Sequence, residues 1–365
     1  MVNKISYASS GVQYELLDPI KKLAQKSALA TKKLMAPAIE ISASRGESAY
    51  VWDEGNAYKA FVIEGLGTKN LVADEMERLT GRTYYHAIAQ DTVAMIVNDI
   101  IVVGAKPQVI NAYFAVGDSN WMSNQPRAEA LIRGWADACR LSGATWGGGE
   151  TPTLKDIIYP ETIDLGGSCI GTIRPKKRLC LGDKLKDGDR IILIESSGIH
   201  ANGLTLCRKI AEGLKDGYLT KLSDGTTFGD TLLKPTHIYA SLIQKIFESG
   251  ININYMTNIT GHGWRKLMRA KQSFTYTIDV IPPITPLFAF LQEKSGNDNK
   301  EMYGNFNMGA GFAIFVSEKD AALVLSISKK LKLKAWNAGY ISSGRKQVNL
   351  KPLEISFSEK ELEVR

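Results

Sequence analysis

The chain has 365 residues, 44% of them apolar and 23% charged, with a formal net charge of +7, a composition that predicts two ordinary globular domains and excludes disordered or fibrous classes. No apolar run reaches the roughly 18 residues of a membrane span; Met1 to Tyr7 lack the apolar core of a secretory signal, so a cytoplasmic protein with free thiols at Cys139, Cys169, Cys180 and Cys207 is expected. The basic residues are scattered or lie on amphipathic stretches such as Ser328 to Lys334, which reads as a solvated face and predicts no nucleic-acid binding.

In chain order, Asp18-Pro19 predicts a helix start, with Asp as cap and Pro at the first position. Alternating segments follow: a strand over 60–64, a helix over 91–103, a strand over 108–115, a helix over 125–141 and a strand over 164–172. The turn-rich 174–189 stretch reads as a linker, dividing the chain into 1–175 and 176–365. The second unit opens with a strand over 190–195 and a helix from Leu204 to Leu214. A helix near 238–247, a loop over 257–264 and strands near 273–278 and 311–316 complete it.

Several stretches carry chemistry. Ser196-Ser197-Gly198-Ile199-His200-Ala201-Asn202-Gly203 lies between a strand and a helix, where backbone N–H groups at a helix start favour an anion. His200 in such an exposed loop suits proton movement near neutral pH. Glu64-Gly65-Leu66-Gly67-Thr68-Lys69 ends a strand with two glycines, a hydroxyl and a lysine, though not in P-loop spacing. On the 91–103 helix, Asp91, Met95, Asn98 and Val102 share a face beside Asp99, and polar groups there call for a cation, a ligand or a turn as partner. Gly147-Gly148-Gly149 permits close backbone approach with the Glu150 carboxylate following at once, the alternative being a tight turn with no ligand. Glu64, Asp91 and Glu150 are thereby the expected Mg²⁺ ligands. Thr260-Gly261-His262-Gly263 resembles a second anion nest. His86 and His237 are read as structural.

Taken in order, Gln90 to Ile100, Val103 to Pro107, Gly148 to Thr151, Ser196 to Gly203, Leu232 to Tyr239, Ile259 to Gly263 and Met302 to Gly309 resemble the phosphoribosylformylglycinamidine cyclo-ligase family of the PurM-like ATP-dependent superfamily. Tyr7 to Val12 also resembles that family's opening. The chain departs from it at Glu64, where an aspartate is usual, at 41–50 in place of a glycine-rich stretch, at Pro152-Thr153-Leu154, and at His262.

The resemblance implies an α+β (PurM-like) fold of two domains: a first one, over 1–175, for ATP, Mg²⁺ and dimerisation, with a mixed sheet that pairs in a homodimer, and a second, over 176–365, for a phosphorylated ribonucleotide substrate. It implies ATP-dependent closure of an imidazole ring, and nucleotide contacts from Glu64, Gly65, Gly67, Thr68, Lys69, Asp91, Asn98, Gly148, Gly149 and Glu150. Substrate contacts fall to Ser197, Gly198, His200, Asn202, Thr260, Gly261 and Gly263, and catalytic roles to His200, Asn202 and Lys69. The alternatives are a thiamine-monophosphate-kinase-like enzyme and an inactive nucleotide-binding paralogue.

Overall fold

A computed structural model describes residues 14–362; the Tyr7 to Val12 resemblance lies outside them. Helix α1 (Tyr14–Leu29) contains Pro19 within it, so the expected start at Asp18-Pro19 is instead an interior position in the helix's second turn. Strands β1 (Ile39–Glu40), β2 (Tyr50–Asp53) and β3 (Tyr58–Gly65) lead to helices α2 (Lys69–Thr80) and α3 (Tyr85–Val102). Next come β4 (Lys106–Val116), α4 (Gln125–Ser142), β5 (Thr145–Glu150) and β6 (Ile163–Ile173). These strands form one mixed sheet in the order β1-β2-β3-β6-β4-β5, with β4 and β5 parallel. Gly147 to Glu150, for which the sequence leaves a tight turn as the alternative, thus extends the sheet at its edge.

The second unit holds β7 (Arg190–Glu195), α5 (Leu204–Glu212), α6 (Phe228–Leu232), α7 (Ala240–Glu248), β8 (Ile253–Asn258) and β9 (Phe274–Ile278). It continues with α8 (Pro286–Ser295), α9 (Asn299–Asn305), β10 (Ala310–Val316), α10 (Glu318–Lys330), β11 (Ala335–Ser343), β12 (Gln347–Leu350) and β13 (Ile355–Ser358). The strand order is β13-β12-β9-β11-β7-β10-β8, antiparallel except for β12 on β9. The chain is therefore an α+β protein of two sheet-based units. No described helix is long and apolar enough to cross a membrane, and the four cysteines are free and buried.

Helix α3 explains how the units join. Its residues from Asp91 through Val102 are all buried, as expected of a helix enclosed by protein rather than lying on a surface. It packs on β3 and β6 of its own sheet, on α4, and on α7 and β8 of the second unit. Among the described residues, nothing covers the opposite face of the first sheet. There Phe61 pairs with Ile170 and Ile170 with Val109 across β3, β6 and β4, and all three are exposed, with Ile63 reaching 72% exposure beside them.

Candidate active site

The polar stripe of α3 meets the second unit at the turn preceding α7. Asp91, fully buried in the helix interior, accepts on Oδ1 from Lys69 Nζ at 2.8 Å, Thr236 N at 2.8 Å and Thr236 Oγ1 at 2.5 Å. Lys69 Nζ also donates to the Lys234 carbonyl at 2.9 Å. Burial pushes the Asp91 carboxyl up and the Lys69 ammonium down, and each charge counteracts that effect on the other. Two turns on, Asn98 donates to the His237 carbonyl at 2.8 Å and accepts from Tyr239 N at 3.0 Å. Lys69, Asp91 and Asn98, expected at phosphate and metal, are engaged in clamping the two units together. His237 lies in that turn, ahead of α7 rather than within a helix.

Asp99 and Glu64 make a second group. Asp99 accepts from Asn258 Nδ2 at 2.7 Å. Burial, then the neighbouring Asp99 charge, pushes the Glu64 carboxyl up to about 7. Both line a cavity of about 360 Å³ together with Glu47, His262, Lys266, Arg269 and residues of α1. Arg269 holds the 46–48 turn against this cavity, donating to Ser48 Oγ and the Gly46 carbonyl at 2.9 Å each. This contact occupies the region where the family's glycine-rich stretch is replaced, and sequence reasoning passed over Arg269, Lys266 and Glu47. Their only sequence signal was charge close to a glycine loop.

Glu150 stands apart. It pairs with Tyr113, which pairs with Gly166, which pairs with Gly65, so three strand spacings, about 14 Å, separate Glu150 from the end of β3. It is exposed with Gly148 and Gly149 on the edge strand, in register with Tyr113 on the uncovered face, whereas Glu64 lies on the face toward α3. The expected trio of Glu64, Asp91 and Glu150 does not converge within one chain, and among the described residues no cluster of three His, Cys, Asp or Glu side chains could hold a metal.

The Ser196 loop is built from the far end of the second unit. Ser196 Oγ donates to Asn307 Oδ1 at 2.9 Å, and Asn307 Nδ2 donates to the carbonyls of Gly198 and Ile199 at 2.9 and 3.1 Å. Ser197 Oγ donates to the Pro235 carbonyl at 2.6 Å, joining this loop to the Asp91 turn. His200, expected to be exposed, is 2% exposed. Its Nε2 accepts from Ser197 N at 3.2 Å, and burial holds the imidazole neutral, its pKa well below the usual range. The ring turns inward because strand β10 has a glycine there: a Cβ at Gly311 would lie 2.4 Å from His200 Cε1 and 2.3 Å from the Tyr239 hydroxyl. Gly203, in the left-handed region at φ 88°, starts α5. Asn202 is half-buried, with Nδ2 3.9 Å from Met95 Sδ. Thr68 Oγ1 lies 3.3 Å from Thr205 Oγ1, bringing the Gly65 to Thr68 turn to the start of α5.

The Thr260 nest adjoins the cavity. Thr260 Oγ1 accepts from Lys266 Nζ, the Thr260 carbonyl accepts from Gly263 N at 3.0 Å, and His262 and Gly263 take left-handed backbone angles of 68° and 51°. Gly261 is half-buried between them and Thr260. Burial, with Lys266 and Arg265 nearby, lowers the His262 imidazole to about 3.

This arrangement has close relatives in sequence. Residues 46–173 match the AIR synthase related protein N-terminal domain and residues 186–351 its C-terminal domain. A phosphoribosylformylglycinamidine cyclo-ligase of Methanosarcina barkeri is 34% identical over 329 residues, covering 89% of this chain and 92% of the relative. The chain belongs to the phosphoribosylformylglycinamidine cyclo-ligase family. The cyclo-ligase of Methanococcus maripaludis is 31% identical over 338 residues, 92% of each chain. Among solved structures, AaThiL complexed with AMPPCP and TMP matches at 13% identity and TM-score 0.59, covering 91% of this chain and 94% of that one. T. maritima PurL complexed with FGAR matches at 16% identity and TM-score 0.57, over 89% of this chain and 49% of that one. These two likenesses establish the shared fold.

Proposed function

We propose that the protein catalyses the ATP-dependent cyclisation of formylglycinamidine ribonucleotide to aminoimidazole ribonucleotide, releasing ADP and phosphate, as a cytoplasmic homodimeric enzyme of purine biosynthesis. The observation that carries this reading is the match to curated cyclo-ligases over 89–92% of the chain, extending through both units. ATP activates the formamide oxygen by phosphorylation, an internal nitrogen attacks the activated carbon, and phosphate leaves in place of a poor leaving group. The protein's task is then positioning and charge neutralisation.

We assign 1–175 to nucleotide binding and dimerisation and 176–365 to the substrate. The mutually repelling carboxylates of Glu64 and Asp99, facing one cavity, fit a divalent cation. When bound, Mg²⁺ would supply positive charge to the transferred phosphoryl group. Gly65, Gly67 and Thr68 offer a turn to the nucleotide phosphates, and Ser197, Gly198, Asn202, Thr260, Gly261 and Gly263 offer the substrate side. His200 acts through Ser197 as a positioning residue. Pairing of the uncovered apolar sheet faces would complete the homodimer and bring Gly148, Gly149 and Glu150 to the shared groove.

The test is direct: purified protein with MgATP and formylglycinamidine ribonucleotide, assayed for the aminoimidazole product. Product with stoichiometric ADP supports the reading. ATP binding without turnover would instead indicate the nucleotide-binding paralogue, and phosphorylation of thiamine monophosphate the kinase.

A further inference from the structure

The lining of the cavity beside Glu64 divides by sign, with Glu47, Glu64 and Asp99 against Lys21, Lys22, Lys266 and Arg269. Arg269 is committed to the 46–48 turn. Lys266 is placed differently: it is buried, on the helical turn Gly263–Met268 that follows the Thr260 nest. Its ammonium donates to Thr260 Oγ1, which tethers it in the cavity wall, and its charge acts on both Glu64 and Asp99. An ammonium has three donors and Thr260 takes one, so Lys266 can balance carboxylates or bind a phosphate oxygen from the same tether. Burying a cation is costly unless anions accompany it, and here the anions are the two carboxylates that fit a metal.

We propose that Lys266 is a resident counter-cation of the nucleotide-phosphate site. In the free protein it neutralises Glu64 and Asp99, so a divalent cation competes with it for them; when a nucleotide arrives, the ammonium donates to a phosphate oxygen. The cavity is thereby poised for a metal–phosphate pair in preference to bare metal. This rests on the assignment of Glu64 and Asp99 to the nucleotide site.

The experiment is titration of the nucleotide-free full-length protein with Mn²⁺, followed by electron paramagnetic resonance, in wild type, Lys266→Met, Lys266→Gln and Lys266→Arg. The glutamine keeps a donor for Thr260 and so guards against a folding defect in the methionine variant. Loss of the charge should tighten Mn²⁺ binding by at least about tenfold in both neutral variants, while the arginine variant stays near wild type. In the presence of Mn²⁺, affinity for AMPPCP should fall about tenfold in the same two variants. Equal or weaker Mn²⁺ binding in neutral variants with wild-type circular dichroism overturns the proposal. Turnover is not needed for this measurement, so an inactive chain with the Mn²⁺ shift refutes only the proposed activity, and an active chain without the shift refutes only the role of Lys266.

Discussion

Lys69 and Asp91 form a 2.8 Å ion pair with neither side chain exposed to solvent, and the same ammonium reaches across to the Lys234 carbonyl. Removing one partner strands a buried charge, so Lys69→Met and Asp91→Leu should each destabilise the protein by about 3–5 kcal/mol. The double variant should cost less than the sum, since it leaves neither charge unpaired. Urea unfolding of the three variants measures this; additive losses would show that the pair is not coupled.

Stability should depend on pH through Glu64. Its folded-state pKa, about 7, lies above the ordinary 4.5, so the group contributes stability that is fully present below 4.5 and lost as pH rises through 7. Metal-free Glu64→Gln should therefore gain on wild type between pH 4.5 and 7.5, by up to about 3 kcal/mol. Denaturation midpoints across that range report the difference, and a gap independent of pH would contradict it.

His200→Ala removes the acceptor for Ser197 N–H, a loss worth about 1–3 kcal/mol. Because the imidazole is buried and neutral, the expected kinetic effect is weaker substrate binding with little change in the single-turnover rate at saturation. A large fall in that rate, with a new pH profile, would return His200 to a proton-transfer role.

The apolar face bearing Phe61, Ile63, Val109 and Ile170 should be the contact between copies. Ile63, 72% exposed in the single chain, has no core role to lose, so Ile63→Glu should yield a folded protein of half the wild-type mass by sedimentation. A wild type that already sediments as a monomer would remove this assignment.

Much of this architecture was legible in the pattern of residues. Strand β7 is found over the expected 190–195, and β3, β4, β6 and α4 differ from expectation by at most one or two residues at each end, because hydrophobic periodicity marks their buried faces. Helix α3 starts six residues earlier than expected, at Tyr85, since its N-terminal turn lacks a side-chain cap to announce it. Strand β5 was hidden by its glycines, which carry no side-chain alternation to read. The site was harder. The types of Lys69, Asp91 and Asn98 mark them as special, but a ligand contact and an interdomain clamp call for the same residue types, and their hydrogen bonds to 234–239 could not be read from their own stretches. His200 drew attention through its glycine-flanked loop, while the feature that turns it inward, Gly311, is far along the chain on another strand.

That dependence on Gly311 and Asn307 has a temporal consequence. Ser196 and Asn307 are 111 residues apart, and the His200 ring packs against Gly311 of β10, the strand set between β7 and β8. The Ser196 loop can therefore reach its final shape only after a contact across 111 residues has closed. A chain interrupted before β10 would carry every residue of the Ser196 loop and none of the Asn307 contacts that shape it.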